Sequence, residues 1–411
     1  MSMASNVSDH RAPQDRPSEP RVLRPRRAAP ADAVRPTRAE VFLDALRHNL
    51  RVVRRAAKNA KVWPVLKADA YGHGAPAVAR TLERAGADGF CVALFEEALE
   101  LRDAGITAPI LVMSGHYGTA HDEVLARGLV PVVHDLGQIE AFARAARARG
   151  ATSPTPVHVK IDTGMARLGI FPEELPLLAE TLLDYPEVRV AGLMTHLACA
   201  DARTTEETDE QLRIFDEASA HLAKLGVRPE VRHAANSAAL LRGESSLDAV
   251  RPGIAIFGVS PRAEGEGAPL SNELRPVIRV RTEVVSIREL APGKPVGYGA
   301  LFRTARASRI ATIPMGYADG LSRRLTNVGH VLVRGKRAPI VGAVSMDMTM
   351  IDVTDIPGAQ PRDEVVVFGA QEGPLGRDAI GADEVAAHQG TIPWEVLTSI
   401  SRRVPRFYRE P

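Results

Sequence analysis

The chain has 411 residues, with 52 Lys and Arg against 50 Asp and Glu for a formal net charge of +2, and is 45% hydrophobic and 4% aromatic. That length accommodates two domains with sizeable cores, and the near-balance of charge excludes a strongly basic nucleic-acid binder or an acidic solvating protein. Two cysteines, Cys91 and Cys199, cannot build a disulfide framework or a structural zinc site, and no apolar run approaches the roughly 20 residues needed to span a bilayer. A reducing, cytoplasmic setting away from membranes is therefore expected.

Residues 1–37 hold six Pro, seven Arg and four acids with no aromatic residue, too little apolar surface to offset the entropy of ordering. They read as a disordered extension, and they contain no apolar signal-peptide core. From Glu40 to about Ser260, short β-branched runs alternate with amphipathic stretches. The runs are Val62–Lys67, Phe90–Ala93, Pro109–Met113, Val130–Val133, Val157–Asp162, Val190–Thr195, Glu230–His233 and Ile254–Phe257. Between them lie helical patterns such as Ala75–Ala85, Glu96–Ala104, Leu136–Arg149, Leu175–Leu183 and Thr208–Leu225. This alternation predicts an α/β fold, a (β/α)8 TIM barrel over 38–272. No G-x-G-x-x-G follows the first strand, so a dinucleotide fold loses its main support. After Asn272 the pattern changes to Gly- and Pro-punctuated strands: Val277–Leu290, Ser308–Pro314, Gly329–Arg334, Pro339–Val344, Met348–Val353 and Glu364–Phe368, with helices only at Ala382–His388 and Pro393–Arg402. A C-terminal, mostly-β domain is expected over 273–411.

Only seven of the 52 basic residues are Lys, which draws attention to Lys67 in Val-Leu-Lys67-Ala-Asp-Ala-Tyr71-Gly-His-Gly. It ends the first barrel strand, at the face where barrel active sites are built. A desolvated Lys there can shed its proton and form a Schiff base with a carbonyl; the plainer reading is a salt-bridged rim residue. Tyr71 would approach the same site if the loop turned into a helix. Other strand ends supply Arg167, suited to a carboxylate or phenolate, and His196. His233-Ala-Ala-Asn236-Ser237 opens a helix that suits a phosphate, and Arg251-Pro-Gly253-Ile254 enters the eighth strand, where barrel phosphate sites often sit. Together they outline a pocket for an anionic, phosphorylated aldehyde. The twelve His show no H-E-x-x-H or Cys–His spacing, so no metal is expected.

The segments VLKADAYGHG, KIDTGMARLG, HAANSAA, VRPGIAIFG, VGYGA, PMGYADG and SMDM, in this order over essentially 39–408, resemble those of the alanine racemases. The resemblance implies a fold-type III pyridoxal 5'-phosphate enzyme, a homodimer working head to tail, that interconverts L- and D-alanine for peptidoglycan. It implies Lys67 as the Schiff-base lysine and the base for the D face, and Tyr298, supplied by the partner subunit, as the base for the L face. Arg167 would favour the Tyr298 phenolate and help hold the substrate carboxylate, and His196 would join the supporting histidine–arginine chain. Arg251 would face the pyridine nitrogen, and Tyr71, Ser237, Gly253 and Ile254, with Asn236 adjoining, the phosphate. Tyr317 and Met346 would line the substrate side from the partner, with Asp347 narrowing the entrance. Lys160 matches a lysine that is carbamylated in some members. One departure stands out: several members carry a phosphate-contacting tyrosine before V-P-R, where this chain has Arg402.

Three rivals are weighed. A broader-specificity racemase acting on serine or other side chains would use the same machinery, since a methyl-scale difference is worth only about 1–3 kcal/mol. Basic amino-acid decarboxylases share the two-domain plan but place an acid against the pyridine nitrogen and use a Gly-rich run, which this chain lacks. A regulatory protein on an inactivated scaffold is disfavoured by the joint presence of Lys67, Arg167, His196, Arg251 and Tyr298.

Overall fold

The structure is a computed structural model that describes residues 34–114, 117, 120–243, 246–261 and 269–410. The extension expected over 1–37 lies outside them except at its end, and there the expected limit is too late. Arg35 donates to both carboxylate oxygens of Asp319 at 2.7 and 2.9 Å. Thr37 is fully buried, its hydroxyl donating to the Pro314 carbonyl at 2.7 Å. Tail-like composition thus hides two anchors.

Strand β1 (Arg38–Phe42) leads into the helix Leu43–Ala57, which buries Leu46, Leu50, Val53 and Ala57 on one face. The barrel strands follow: β2 (Lys61–Val62), β3 (Phe90–Val92), β4 (Ile110–Val112), β5 (Val130–Val133), β6 (Thr155–Lys160), β7 (Val188–Met194), β8 (Val231–His233) and β9 (Ala249–Val250). Strands β3 to β8 form a parallel ladder in chain order, and β2 pairs with β9, also in parallel. A bridge between Val65 and Cys91 joins the end of β2 to β3, and the Asp248 N–H donates to the Arg232 carbonyl at 3.0 Å across the β8–β9 gap. The ring of eight therefore closes. Its eighth strand is β9, not the expected Ile254–Phe257, which instead makes a 3-10 turn after the Pro252-Gly253 break.

Side chains alternate along a strand, so His158 and Lys160 of β6 share a direction. A layer inside the barrel is aromatic and polar: the Trp63 ring centroid lies 5.6 Å from that of His158 and 5.2 Å from that of His233. Gly192 on the intervening β7 makes room, since a Cβ there would collide with the His158 ring. The layer above it opens into the site.

The second domain comprises β10 (Ile278–Glu283), β11 (Ser286–Leu290), β12 (Pro295–Val296), β13 (Phe302–Arg303), β14 (Ser308–Ile313), β15 (His330–Val333), β16 (Lys336–Pro339), β17 (Thr349–Asp352), β18 (Glu364–Gly373), β19 (Gly376–Ile380) and β20 (Arg406–Arg409). A main sheet runs β16-β15-β18-β10-β1-β20 with β19 on β18; β11-β14-β17 form a second sheet and β12-β13 a short hairpin. The expected strand Pro339–Val344 is displaced, with β16 ending at Pro339 and only Ile340 bridging onward to Ile351. More consequentially, β1 sits between β10 and β20. The chain's first strand belongs to the second domain's sheet, which an expected domain border at 272/273 misses.

That insertion is held by charge. Glu40 of β1 is 6% exposed. Its carboxylate meets Arg409 at 2.7 Å, Arg279 and Arg281 at 3.2 Å, and Arg38 at 3.7 Å. Removing one member of a buried pair costs about 3–5 kcal/mol, less where the arginines keep contact with water. Glu40→Gln is expected to lower unfolding free energy by about 2–3 kcal/mol in denaturant titrations, because it strands several arginines around a neutral amide.

Candidate active site

Lys67 opens a short turn, Lys67–Tyr71, in which Ala68, Asp69, Ala70 and Tyr71 all take positive φ of 52–57°. The sequence suggested a helix here; the backbone is left-handed instead. Each such L-residue costs roughly 1–2 kcal/mol, so the surroundings must impose the conformation. Glu97 accepts from the Ala68 N–H at 2.6 Å, Asp69 accepts from the Ala75 N–H at 2.8 Å, and Arg406 donates to the Gly72 carbonyl at 2.9 Å. The result folds the Tyr71 ring inward against Phe257, with its hydroxyl where a Cβ on Gly253 would stand. Only glycine permits that approach.

Around this turn lies a cavity of about 220 Å³ lined by Val65, Lys67, Tyr71, Met113, Met165, His196, Leu197, Ala198, Asp201, Asn236, Ser237, Ala238, Arg251, Gly253, Ile254, Pro261 and Trp394. The Ser237 hydroxyl oxygen accepts from the Gly253 N–H at 2.9 Å and the Ala255 N–H at 3.3 Å. Its own O–H remains to donate outward. Asn236 caps the helix Ser237–Arg242 by accepting from the Ala238 and Ala239 N–H groups. The Tyr71 and Ser237 hydroxyls thus form one corner of polar donors, with Gly253 giving the Tyr71 hydroxyl room.

Arg251 is 2% exposed, and no carboxylate pairs with it among the described residues. It donates to the Thr195 and Ala234 carbonyls at 2.8 and 3.0 Å and to His233 Nδ1 at 2.7 Å, with His196 Nδ1 at 3.5 Å. A guanidinium only donates, so His233 Nδ1 must be the acceptor; its Nε2 then carries the proton and donates to His158 Nδ1 at 2.8 Å. Three bonds leave guanidinium N–H groups for an acceptor in the cavity. Burial lowers the Arg251 pKa to about 10. Burial and then Arg251 push His158 down to about 3 and hold His196 and His233 well below their ordinary value.

The lysines are biased the same way. Lys67 stands in the open mouth and is solvent-accessible, yet the cavity walls desolvate its amine and lower its pKa; Arg167 adds repulsion and Glu97 opposes. Lys160, 5% exposed, is lowered to about 8 by burial and then by Arg167 and Arg251. Arg167 is exposed at the rim and outside the lining, on a loop organised by Asp162, whose Oδ1 accepts from the N–H groups of Gly164, Met165 and Ala166 and whose Oδ2 accepts from that of Arg167. Arg402 is exposed and does not line the cavity.

Tyr298, Tyr317 and Met346 are not in this cavity. They line a separate open hollow on the β domain with Arg323, Asp347 and Met350, where Tyr298 is 74% exposed. There Asp347 takes a bond from Arg403 at 2.7 Å, and Arg403 in turn reaches the buried Asp319 that Arg35 grips. Sequence reasoning missed Glu97, the rings of His158 and His233, and Trp394. The period-two spacing of His158 and Lys160 signalled the first histidine; nothing local signalled the tryptophan.

A closed barrel bearing a lysine amine of lowered pKa, a buried guanidinium with no carboxylate partner among the described residues and a corner of hydroxyl donors has the make-up of an enzyme site for an anionic ligand. The description "Alanine racemase, N-terminal domain" fits residues 41–261, and "Alanine racemase, C-terminal domain" fits 277–408. The chain is 59% identical over 387 residues to the alanine racemase of Sorangium cellulosum, covering 92% of this chain and 100% of that one. Among solved structures, the alanine racemase of Streptomyces coelicolor superposes with a TM-score of 0.85 at 38% identity, over 93% of this chain and 100% of that one. That of Bacillus anthracis, solved with bound L-Ala-P, gives 0.84 at 36%, over 92% and 95%. The chain belongs to the alanine racemase family, and its reaction class is that of an isomerase.

The buried histidines carry a pH consequence. Their folded pKa values lie below the ordinary 6.5. The unfolded chain therefore takes up protons that the folded chain refuses, so stability present above pH 6.5 is lost as pH falls towards about 3. Denaturant midpoints measured at pH 7.5 and pH 5 are expected to fall less for His158→Gln than for the native chain.

Proposed function

We propose that this alanine racemase interconverts L- and D-alanine with pyridoxal 5'-phosphate bound in the Lys67 cavity, by two bases on opposite faces of the substrate. The observation that carries the cofactor reading is Arg251: a buried cation without a carboxylate, with spare N–H donors, across a cavity from a lysine amine whose pKa is lowered. The donor corner of Tyr71, Ser237, Gly253 and Ile254, with Asn236 behind it, fits a phosphate. Bound there, the cofactor supplies the electron-withdrawing ring that makes the Cα proton of alanine removable. Arg251 offers only donors, so it would hold a ring nitrogen as a hydrogen-bond acceptor and disfavour its protonation, which would restrain side reactions. Desolvation, with Arg167 behind it, lowers the Lys67 pKa and so favours the neutral amine that would take and return a proton on its own face.

The opposite face needs a second base, and Tyr298 is the candidate. Its distance from its own chain's cavity supports a head-to-tail homodimer, in which the exposed Tyr298, Tyr317 and Met346 of one subunit complete the cavity of the other. Arg167 at the rim would then favour the Tyr298 phenolate and help hold the substrate carboxylate. Lys160, buried beside two arginines, stands where carbamylation would turn repulsion into attraction. D-Alanine for peptidoglycan is the expected use, and a cytoplasmic location is supported by two free cysteines. Among the described residues no helix is long and apolar enough to cross a membrane.

Chiral chromatography of L-alanine is expected to show D-alanine forming, with activity lost in Lys67→Ala and reduced at least about 100-fold in Tyr298→Phe. Racemisation left intact by both would overturn the two-base assignment. Mixing the two inactive variants under subunit exchange is expected to restore about a quarter of native sites, since half the dimers then carry one whole site of two. No recovery, with exchange verified, would mean that Tyr298 acts within its own chain or not at all.

A further inference from the structure

One wall of the Lys67 cavity does not come from the barrel. Trp394, in the helix Pro393–Ser399 of the β domain, lines it together with Tyr71, Ser237 and Gly253. The helix is held against the Lys67 turn at close quarters. A Cβ on Gly72 would meet the Leu397 carbonyl, and Arg406 donates both to the Gly72 carbonyl at 2.9 Å and to the Ile400 carbonyl at 2.7 Å. Trp394 is therefore positioned by the same contacts that impose the left-handed turn on Tyr71.

The indole is half-buried, and its N–H makes no hydrogen bond to any described residue, although the Trp394 carbonyl accepts from Thr398 at 2.8 Å. An indole N–H donates only, and on a cavity wall it is available to an acceptor bound there. Arg402, further along the same segment, is exposed and outside the lining. The β domain thus keeps one aromatic donor at this cavity, eight residues earlier in the chain.

We propose that Trp394 is a further cofactor-binding residue, its indole N–H donating to a phosphate oxygen from the β-domain side while the ring shields that end of the cavity from water. The proposal rests on the reading of the cavity as a pyridoxal phosphate site and deepens it. It makes phosphate capture a joint act of both domains of one chain, distinct from the partner's contribution on the substrate side.

The test is a titration of full-length, cofactor-stripped protein with pyridoxal 5'-phosphate and, separately, with phosphate-free pyridoxal, read by visible absorbance and tryptophan emission. The chain has two tryptophans. Trp63 packs on His158 and His233 and remains as the internal reporter when Trp394 is replaced. Trp394→Phe keeps an apolar ring and removes the donor. It is expected to weaken pyridoxal phosphate binding by about tenfold or more while leaving pyridoxal within about twofold, as loss of one hydrogen bond to a charged group requires. Arg402→Ala is expected to bind both as the native chain does. Equal loss for both ligands, or native affinity for pyridoxal phosphate in Trp394→Phe, overturns the proposal while the cofactor reading stands. A native chain that binds neither ligand overturns both. Matching thermal melts of the stripped variants separate a binding defect from a folding one.

Discussion

A guanidinium buried without a carboxylate is the constraint around which this molecule is arranged. Stripping a charge of water is tolerated only if its hydrogen bonds are supplied internally. Arg251 receives two strand-end carbonyls and one imidazole. Burial first, and then the charge of Arg251, disfavours a second positive charge beside it, so the pKa values of His158, His196 and His233 are pushed down. The same field reaches Lys160. A cavity so biased is short of electron pairs, and the anionic cofactor proposed for it would relieve that shortage. The fixed order of donor and acceptor from Arg251 through His233 to His158 also defines which tautomers the core can hold, so the guanidinium is aimed as well as charged.

The lysine across the cavity answers a different demand. In the proposed role it must be reactive and also placed, and the four-residue left-handed turn after it does the placing. That turn stores strain which Glu97, Asp69 and Arg406 offset from three directions. One of those directions is the β domain. The barrel's catalytic face is consequently not autonomous: its most strained segment is clamped by residues near 400, and its cavity is walled by Trp394.

Much of this was legible in the sequence because barrel chemistry is written at strand ends, where short motifs such as HAANSAA and RPGI stay local. The alternation of apolar runs located six of the eight strands closely and the first only at Val62, since Val65 is a lone bridge and Lys67 already opens the turn. It failed at the eighth, where Ile254–Phe257 is as apolar as a strand but follows Pro252-Gly253 and coils into a 3-10 turn. Long-range placement was not legible. Nothing around Arg38–Phe42 distinguishes a barrel strand from one that crosses to the other domain, because the pairing partners lie more than 230 residues away. Nor does local pattern show that Ala68 to Tyr71 invert their backbone, since each residue alone prefers a right-handed helix; only the packed surroundings decide.

The neighbours of β1 set the order in which the molecule can be completed. As the polypeptide emerges, β1 appears first, and β20, which lies beside it in parallel, among the last. The ring of barrel strands can close while β1 still has both edges bare, and Glu40 waits for Arg279 and Arg281 and later for Arg409. Final locking thus coincides with the arrival of the Arg406 segment that clamps the Lys67 turn. Synthesis and assembly of the working cavity finish together, so a polypeptide interrupted near residue 400 would own every barrel residue of the site and lack the clamp that shapes it.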